Sequence, residues 1–244
     1  MLLTVEEIHT YYGTSHILFG VSLEVEEGRA VALLGRNGAG KTTTLRSIMG
    51  LTPPKKGRVL FSNKEITREP VYRVSRMGIG YVPEDRMIFP DLTVWENLSL
   101  GIHPQRKGKY TIEMAYRFFP VLEKMKDRPA GMTSGGEQQM LAIARSLMTN
   151  PKLFLLDEPL EGLSPIIIQE LSKSIKHLKD EEGLTILLCE QNVAFATELC
   201  SRVYIIEKGV IRFQGSTEDF KMNTHVREQF LLVRGGSKRV NRDS

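Results

Sequence analysis

The stretch RAVALLGRNGAGKTT, residues 29–43, constrains this chain more than any other. Its first half, RAVALL, reads as a buried strand, and residues 35–43 match G-x-x-x-x-G-K-[ST] in strand–loop–helix order. Gly35, Gly38 and Gly40 let the backbone curl until its N–H groups converge, which suits phosphate oxygens. Asn37, Ala39 and Thr43 belong to the same loop and are candidate nucleotide contacts. Lys41 places a positive charge on the outer phosphates, and the Thr42 hydroxyl suits Mg²⁺. The helix that follows adds a favourable dipole at its N-terminus. A Gly-rich turn is the alternative, and the strand before and helix after the loop weigh against it.

The flanking pattern places this loop in an α/β protein. LLTVEEI and VSLEV, separated by a GTSH turn region, are β-like, and so are GRVLF and IGYV. From about Pro90 to Asn150 the β signal almost vanishes. TVWENLSL, EMAYRFFPVLEKM and GEQQMLAIARSLM carry helical spacing of apolar residues there. Strands then return: KLFLLD precedes a helix from about Ser164 to Lys179, LTILLC precedes VAFATELC, and RVYIIE turns at Lys208 and Gly209 into VIRFQG. Alternation of strand and helix predicts parallel βα units, so the chain reads as one α/β core interrupted by a helical insertion.

Two buried strands end on acids and amides, at the sheet end where open α/β folds bind ligands. KLFLLDEP delivers Asp157, suited to positioning a metal, and Glu158, suited to polarising a water. LTILLCEQN ends on Glu190, Gln191 and Asn192. TSGGEQQ starts an amphipathic helix at Ser134, Gly135 and Gly136, whose small residues leave backbone amides open for a second anion. An N-capped helix with glycines is the alternative there. One nucleotide needs only one phosphate cradle, so a second is hard to explain within a monomer.

GRNGAGKTT, TSGGEQQ and LFLLDEP, in this order over nearly the whole chain, resemble the ATP-binding subunits of ABC transporters. The resemblance implies a P-loop NTPase core with a mostly parallel sheet, an antiparallel β subdomain and an inserted α-helical subdomain. On this expectation residues 1–234 form one ATP-binding domain, with its core at about 1–86 and 150–234 and its helical part at about 87–149; residues 235–244 form a basic tail. The resemblance also implies head-to-tail pairing, with Ser134, Gly135 and Gly136 closing on the γ-phosphate of ATP held by the partner. Tyr12 matches the aromatic that stacks on adenine, with a strand aromatic as the alternative. The segment VPEDRMIFPDLTVWENL would hold the γ-phosphate-sensing loop and the surface that receives the membrane subunit. Phe89 and Trp95 contribute to that groove or else pack in the core. Four positions depart from the family pattern: Glu84 replaces glutamine at a position near the metal, Thr133 replaces leucine, Ser164 and Pro165 replace aspartate, and Gln191 replaces histidine. YVPEDR, EGLSP and CEQN resemble the subgroup that energises uptake of branched-chain amino acids. YYGTSHIL, with Glu161 and Gly162, also resembles urea and short-amide uptake subunits.

The expected function is ATP hydrolysis, with Mg²⁺, that drives an importer. Glu158, Lys41 and Gln191 are the catalytic candidates, and Thr42, Asp157 and Glu84 the metal candidates. The expected partners are a second ATP-binding subunit, identical or related, integral membrane permeases and, indirectly, a substrate-binding protein. A chain of 244 residues with 41% hydrophobic and 25% charged residues is ordinary for one large domain. Residues 1–10 do not resemble a secretory leader, and no apolar run is long enough for a membrane span. Two cysteines, Cys189 and Cys200, are too few for a disulfide framework, so a reducing cytosol is the simplest setting, and the resemblance implies a cytoplasmic position peripheral to the inner face of the membrane. Net charge is +4, partly from Arg234, Lys238, Arg239 and Arg242 near the C-terminus. A nucleic-acid-acting ATPase of the same family would share that basic balance. It usually carries two cassettes or a long coiled-coil insertion, neither of which is visible, so nucleic acid is not an expected partner.

Overall fold

The structure is a computed structural model that describes residues 1–102 and 108–226. The basic tail at 235–244 lies outside the described residues.

Two sheets form the frame. β1 (Leu3–Tyr12), β2 (Ser15–Val25), β4 (Lys56–Phe61) and β5 (Lys64–Glu65) make an antiparallel sheet in the order β2-β1-β4-β5. The second sheet has six strands: β3 (Ala30–Leu34), β6 (Ile79–Val82), β7 (Leu153–Asp157), β8 (Thr185–Glu190), β9 (Arg202–Glu207) and β10 (Val210–Ser216), ordered β10-β9-β3-β8-β7-β6. All neighbours in it are parallel except β10, which returns antiparallel on β9 through the turn at Lys208 and Gly209. Every residue of β3, β7 and β8 is buried, which is why these strands read as unbroken apolar runs rather than alternating ones. One apolar core lies under the helices, around Leu141, Phe154 and Ile186; a second joins the two sheets around Val5, Leu33 and Leu187.

Helices α1 (Lys41–Ile48) and α2 (Val71–Met77) precede β6; α3 (Val94–Leu100), α4 (Ile112–Phe118), α5 (Pro120–Lys124) and α6 (Gly135–Leu147) fill the stretch before β7. Helices α7 (Pro165–Asp180), α8 (Val193–Leu199) and α9 (Thr217–Met222) follow β7, β8 and β10. Local sequence explains several starts: Thr93 with Glu96, Ser134 with Glu137, and Ser216 with Asp219 close capping boxes. Pro165 occupies the first turn of α7, where its missing N–H costs nothing.

Three expectations need correction. EMAYRFFPVLEKM is not one helix: it breaks at Phe119 (φ −132°, ψ 74°), because the residue before Pro120 is pushed out of the helical region. The break turns Phe119 into the core, where it is fully buried. The GTSH turn shrinks to Gly13 and Thr14, since β2 already begins at Ser15. Phe89 and Trp95 do not pack in the core; they are 49% and 50% exposed. α2 and α9, of seven and six residues, are not among the elements expected from the sequence. Cys189 and Cys200 are free and buried, and among the described residues no helix is long and apolar enough to cross a membrane.

Candidate active site

The site is assembled at the carboxyl ends of three adjacent strands. β8 lies between β3 and β7, and register pairs Leu34 with Glu190 and Cys189 with Asp157, so the three ends are level. Level ends bring the loop after Leu34, the acids after Leu156 and the amide after Glu190 to one place. Gly40 is needed there: its φ of 117° is left-handed, and a Cβ would lie 2.8 Å from the Leu18 side chain. A cleft of about 440 Å³ opens above the loop, lined by Tyr12, Ile17, Asn37, Gly38, Gly40, Lys41, Thr42, Thr43, Glu84 and Glu158. Gly35 and Ala39 sit beneath it, Ala39 packed into the inter-sheet core and Gly35 hard against Ile206. Tyr12 is 45% exposed at the cleft edge, which leaves its ring face available for a base.

Lys41 is buried and closes back on its own loop. Its Nζ donates to the Gly35 carbonyl at 2.8 Å and the Arg36 carbonyl at 3.1 Å, and it pairs with Glu158 Oε1 at 2.9 Å. Gln191 Nε2 donates to Glu158 Oε2 at 2.7 Å and to Asn37 Oδ1 at 2.6 Å. Glu158 thus joins the phosphate loop to the end of β8. Its φ of 46° is unusual for a residue with a side chain, and its backbone N–H donates to the Cys189 carbonyl at 2.9 Å. Burial pushes the Glu158 carboxyl up, but hydrogen bonds from Glu161, Gln191 and Lys41 outweigh it and hold the group below its ordinary range. Glu161 is pushed the other way, to about 7, chiefly by its hydrogen bond to Glu158.

Thr42 Oγ1 donates to Asp157 Oδ1 at 3.1 Å, and the Tyr81 hydroxyl donates to Asp157 Oδ2 at 3.1 Å. Burial raises the Asp157 carboxyl to about 6; the Thr42 and Tyr81 hydrogen bonds oppose this, while the charges of Glu158 and Glu84 add to it. Oxygen atoms from Thr42 and Asp157 are a hard donor pair of the kind Mg²⁺ takes, with substrate phosphates and water completing its shell. Among the described residues no group of three His, Cys, Asp or Glu side chains converges to hold an ion by itself, so such an ion would depend on the phosphates. The residues present fit Mg²⁺ bound with a nucleotide. Glu84 lines the same cleft, but its side chain makes no hydrogen bond or ion pair among the described residues.

Ser134, Gly135 and Gly136 do not line this cleft. They start α6, with Gly135 beside Arg86 and Gly136 against Ile167, where an added Cβ would meet Arg86 Nη1 or Ile167 Cγ2 at 2.7 Å. The expectation of open amides needs correction at one residue. Ser134 N–H donates to Glu137 Oε2 at 2.6 Å, and Ser134 Oγ accepts from Glu137 N–H at 3.3 Å. The capping box therefore leaves the N–H groups of Gly135 and Gly136, not that of Ser134, for an anion. The sequence reading missed Tyr81 and gave Glu161 and Glu190 no task. Tyr81 left no local trace because it reaches Asp157 across the sheet; Glu161 and Glu190 stood in motifs but acquire partners only in three dimensions.

A second groove, of about 620 Å³, lies between α2, α3 and α6 and is walled by Met87, Phe89, Leu100 and Arg145, among others. Asn97 holds the Phe89 end of this wall: its side chain accepts from Phe89 N–H at 3.0 Å and donates to the Phe89 and Thr93 carbonyls.

Residues 18–161 match the ABC transporter family. The chain is 41% identical over 232 residues to the high-affinity branched-chain amino acid transport ATP-binding protein BraG of Pseudomonas aeruginosa, covering 94% of this chain and 99% of that protein. It is 33% identical over 235 residues to the lipopolysaccharide export system ATP-binding protein LptB of Escherichia coli K12, covering 94% and 96%. Among solved structures, a nucleotide-free ATP-binding cassette from an ABC transporter superposes with a TM-score of 0.81 at 29% identity, over 96% of this chain and 99% of that one. A dimeric post-hydrolysis cassette, MJ0796 bound to ADP and Pi, gives 0.77 at 26% identity, over 88% and 98%. On sequence, fold and the nucleotide-binding architecture alike, the chain belongs to the ABC transporter family, as an ATP-binding and ATP-hydrolysing subunit.

Proposed function

We propose that this subunit hydrolyses Mg²⁺-bound ATP to drive a membrane importer for branched-chain or other hydrophobic amino acids. The observation that carries the catalytic half is the hydrogen-bonded set Lys41, Glu158, Gln191 and Asn37 at the ends of β3, β7 and β8. In this reading Glu158 polarises the attacking water, Lys41 and the loop amides hold the phosphates, and Gln191 contacts the γ-phosphate. Thr42 and Asp157 hold the metal, and Tyr12 receives the adenine. Glu84, which lines the same cleft, would join the metal through water.

Gly135 and Gly136, with Ser134 as their cap, act on ATP held by a second subunit, identical or related. Their position off the cleft supports this, because they start a helix that makes no wall of their own chain's phosphate site. The groove at Met87 and Phe89 receives the permease, which puts the subunit at the inner face of the membrane. One cassette spans residues 1–234, with 87–149 as its helical part. The identity over nearly the whole chain to BraG, a branched-chain amino acid transport ATP-binding protein, supports the cargo class. Uptake of labelled leucine, urea and short amides by vesicles carrying the co-purified permeases tests this. Leucine uptake abolished by Glu158→Gln supports the reading; urea or amide uptake alone, or lipid export, replaces the cargo.

A further inference from the structure

Glu190 is a buried carboxylate for which the reading above has no use, and its partners are unusual. It is 3% exposed at the end of β8 and forms no ion pair among the described residues. Its two oxygens instead serve two different loops. Oε1 accepts from Leu160 N–H at 3.3 Å, two residues beyond Glu158. Oε2 accepts from Gln191 N–H at 2.9 Å and Asn192 N–H at 3.0 Å. Burial pushes this carboxyl up, and the three backbone N–H donors pull against that.

A strand cap would need only one or two of these bonds, and a hydroxyl would serve for them. A carboxylate with one oxygen on each loop does something more: it fixes the loop after Glu158 relative to the backbone of Gln191. The remaining supports point the same way. Asn192 Oδ1 accepts from Phe195 N–H at 3.1 Å and fixes the start of α8, while Glu158 N–H is held by the Cys189 carbonyl. Between those anchors the Gln191 side chain reaches Glu158 Oε2 and Asn37 Oδ1. A neutral amide has no charge to draw it to a carboxylate, so its position depends on the backbone that carries it.

We propose that Glu190 is a positioning residue for hydrolysis, a clamp between the Glu158 loop and the Gln191 loop that keeps the Gln191 amide on the catalytic carboxylate. The inference rests on the catalytic reading of Gln191 and deepens it. Glu190 itself touches neither ATP nor the reacting atoms.

The test is a double-mutant cycle on steady-state ATP hydrolysis by the full chain, with ATP affinity measured separately and folding checked by circular dichroism. Glu190→Ala frees Gln191 and should lower kcat by about tenfold, the worth of one well-placed hydrogen bond, with KM for ATP within about twofold. Glu190→Gln keeps one acceptor oxygen and should lose about threefold; it also serves if the alanine variant does not fold. In a Gln191→Ala background, either Glu190 substitution should lower kcat by less than about twofold, because the group being positioned is gone. Multiplicative losses in the two backgrounds overturn the clamp and make Glu190 a general support of the fold. A parallel rise in KM and fall in kcat, or a kcat unchanged by either substitution, overturns it as well. If Gln191→Ala alone leaves kcat at the wild-type value, the catalytic reading of Gln191 fails and the clamp fails with it. That outcome is distinct from the one in which Gln191→Ala is impaired but additive with Glu190.

Discussion

Replacing Asp157 by asparagine should make the nucleotide-free protein more stable while destroying its use of Mg²⁺. Asp157 is fully buried, and its carboxyl stands at about 6 against an ordinary 3.8. The folded chain therefore holds this proton more tightly than the unfolded chain does. The sign follows from that: the stability associated with Asp157 is complete below 3.8 and is lost as pH rises through about 6. A shift of about two pK units, at about 1.4 kcal/mol each, makes the ionised side chain cost about 3 kcal/mol at pH 8. Asparagine has no charge to lose, and its amide can still accept from one hydroxyl and donate to the other, Thr42 or Tyr81.

The assay is thermal unfolding of wild type and Asp157→Asn in EDTA. At pH 8 the variant should melt roughly 6–12 °C higher for about 3 kcal/mol in a domain of this size. At pH 5 the unfolded chain is already ionised while the folded chain is not yet so, and the gap should fall to roughly half. Mg²⁺-ATP at about a hundred times its Kd should add about 2.7 kcal/mol to the wild type and little to the variant, nearly closing the gap at pH 8. A gap that does not change with pH, or a variant less stable than wild type at pH 8, refutes the reasoning. Asp157 would then be well solvated by Thr42 and Tyr81, and its burial would carry no electrostatic cost.

Three further outcomes are expected. Glu158→Gln should bind ATP with near wild-type affinity but lose about 10²–10⁴-fold in kcat and accumulate a nucleotide-bound dimer on size exclusion; turnover near the wild-type rate removes Glu158 from the base role. Lys41→Ala should weaken ATP binding at least about tenfold in a fluorescent-nucleotide titration, and it should also destabilise the apo protein by roughly 3 kcal/mol, because Glu158 loses the one cation that pairs with it among the described residues. Asn97→Ala orphans the N–H of Phe89, whose carbonyl still accepts from Leu92 N–H, and should cost about 1–3 kcal/mol in chemical denaturation. Its basal ATP affinity should stay unchanged while stimulation of hydrolysis by the permease falls; full stimulation would separate the Phe89 groove from the permease.

The strand ends were legible because burial on both faces leaves a mark along the chain. KLFLLD and LTILLC are continuous apolar runs, so the first polar residues after them had to stand at the sheet end. The phosphate loop was legible because its glycines meet a local backbone requirement. Contacts made across strands left no such mark. Nothing in IGYV announces that Tyr81 donates to Asp157, since that bond depends on β6 lying beside β7. The cap at Ser134 shows the opposite limit: S-x-x-E was present in plain view, yet its closure consumes the amide of Ser134 that the anion reading had left open. The break at Phe119 was likewise written locally, in the proline that follows it, but helical spacing across EMAYRFFPVLEKM overrode that signal.

The site around Lys41 also has a logic that no single motif expresses. Lys41 Nζ has three donors and three acceptors: the carbonyls of Gly35 and Arg36 and the Glu158 carboxylate. No donor is left over for a phosphate, so an incoming phosphate oxygen must displace one of the three. The two carbonyls belong to the loop that curls around the phosphate, whereas Glu158 belongs to a different strand and carries a full charge of the same sign as the ligand. Repulsion between phosphate and carboxylate therefore favours exchange at Glu158. With Lys41 turned to the phosphate, Glu158 would keep the Gln191 amide but lose the Lys41 charge that helps hold it below its ordinary range, and so would become more basic. On the proposed reading, the carboxylate that draws a proton from water is thus paired with Lys41 and would be released by the phosphate it acts on.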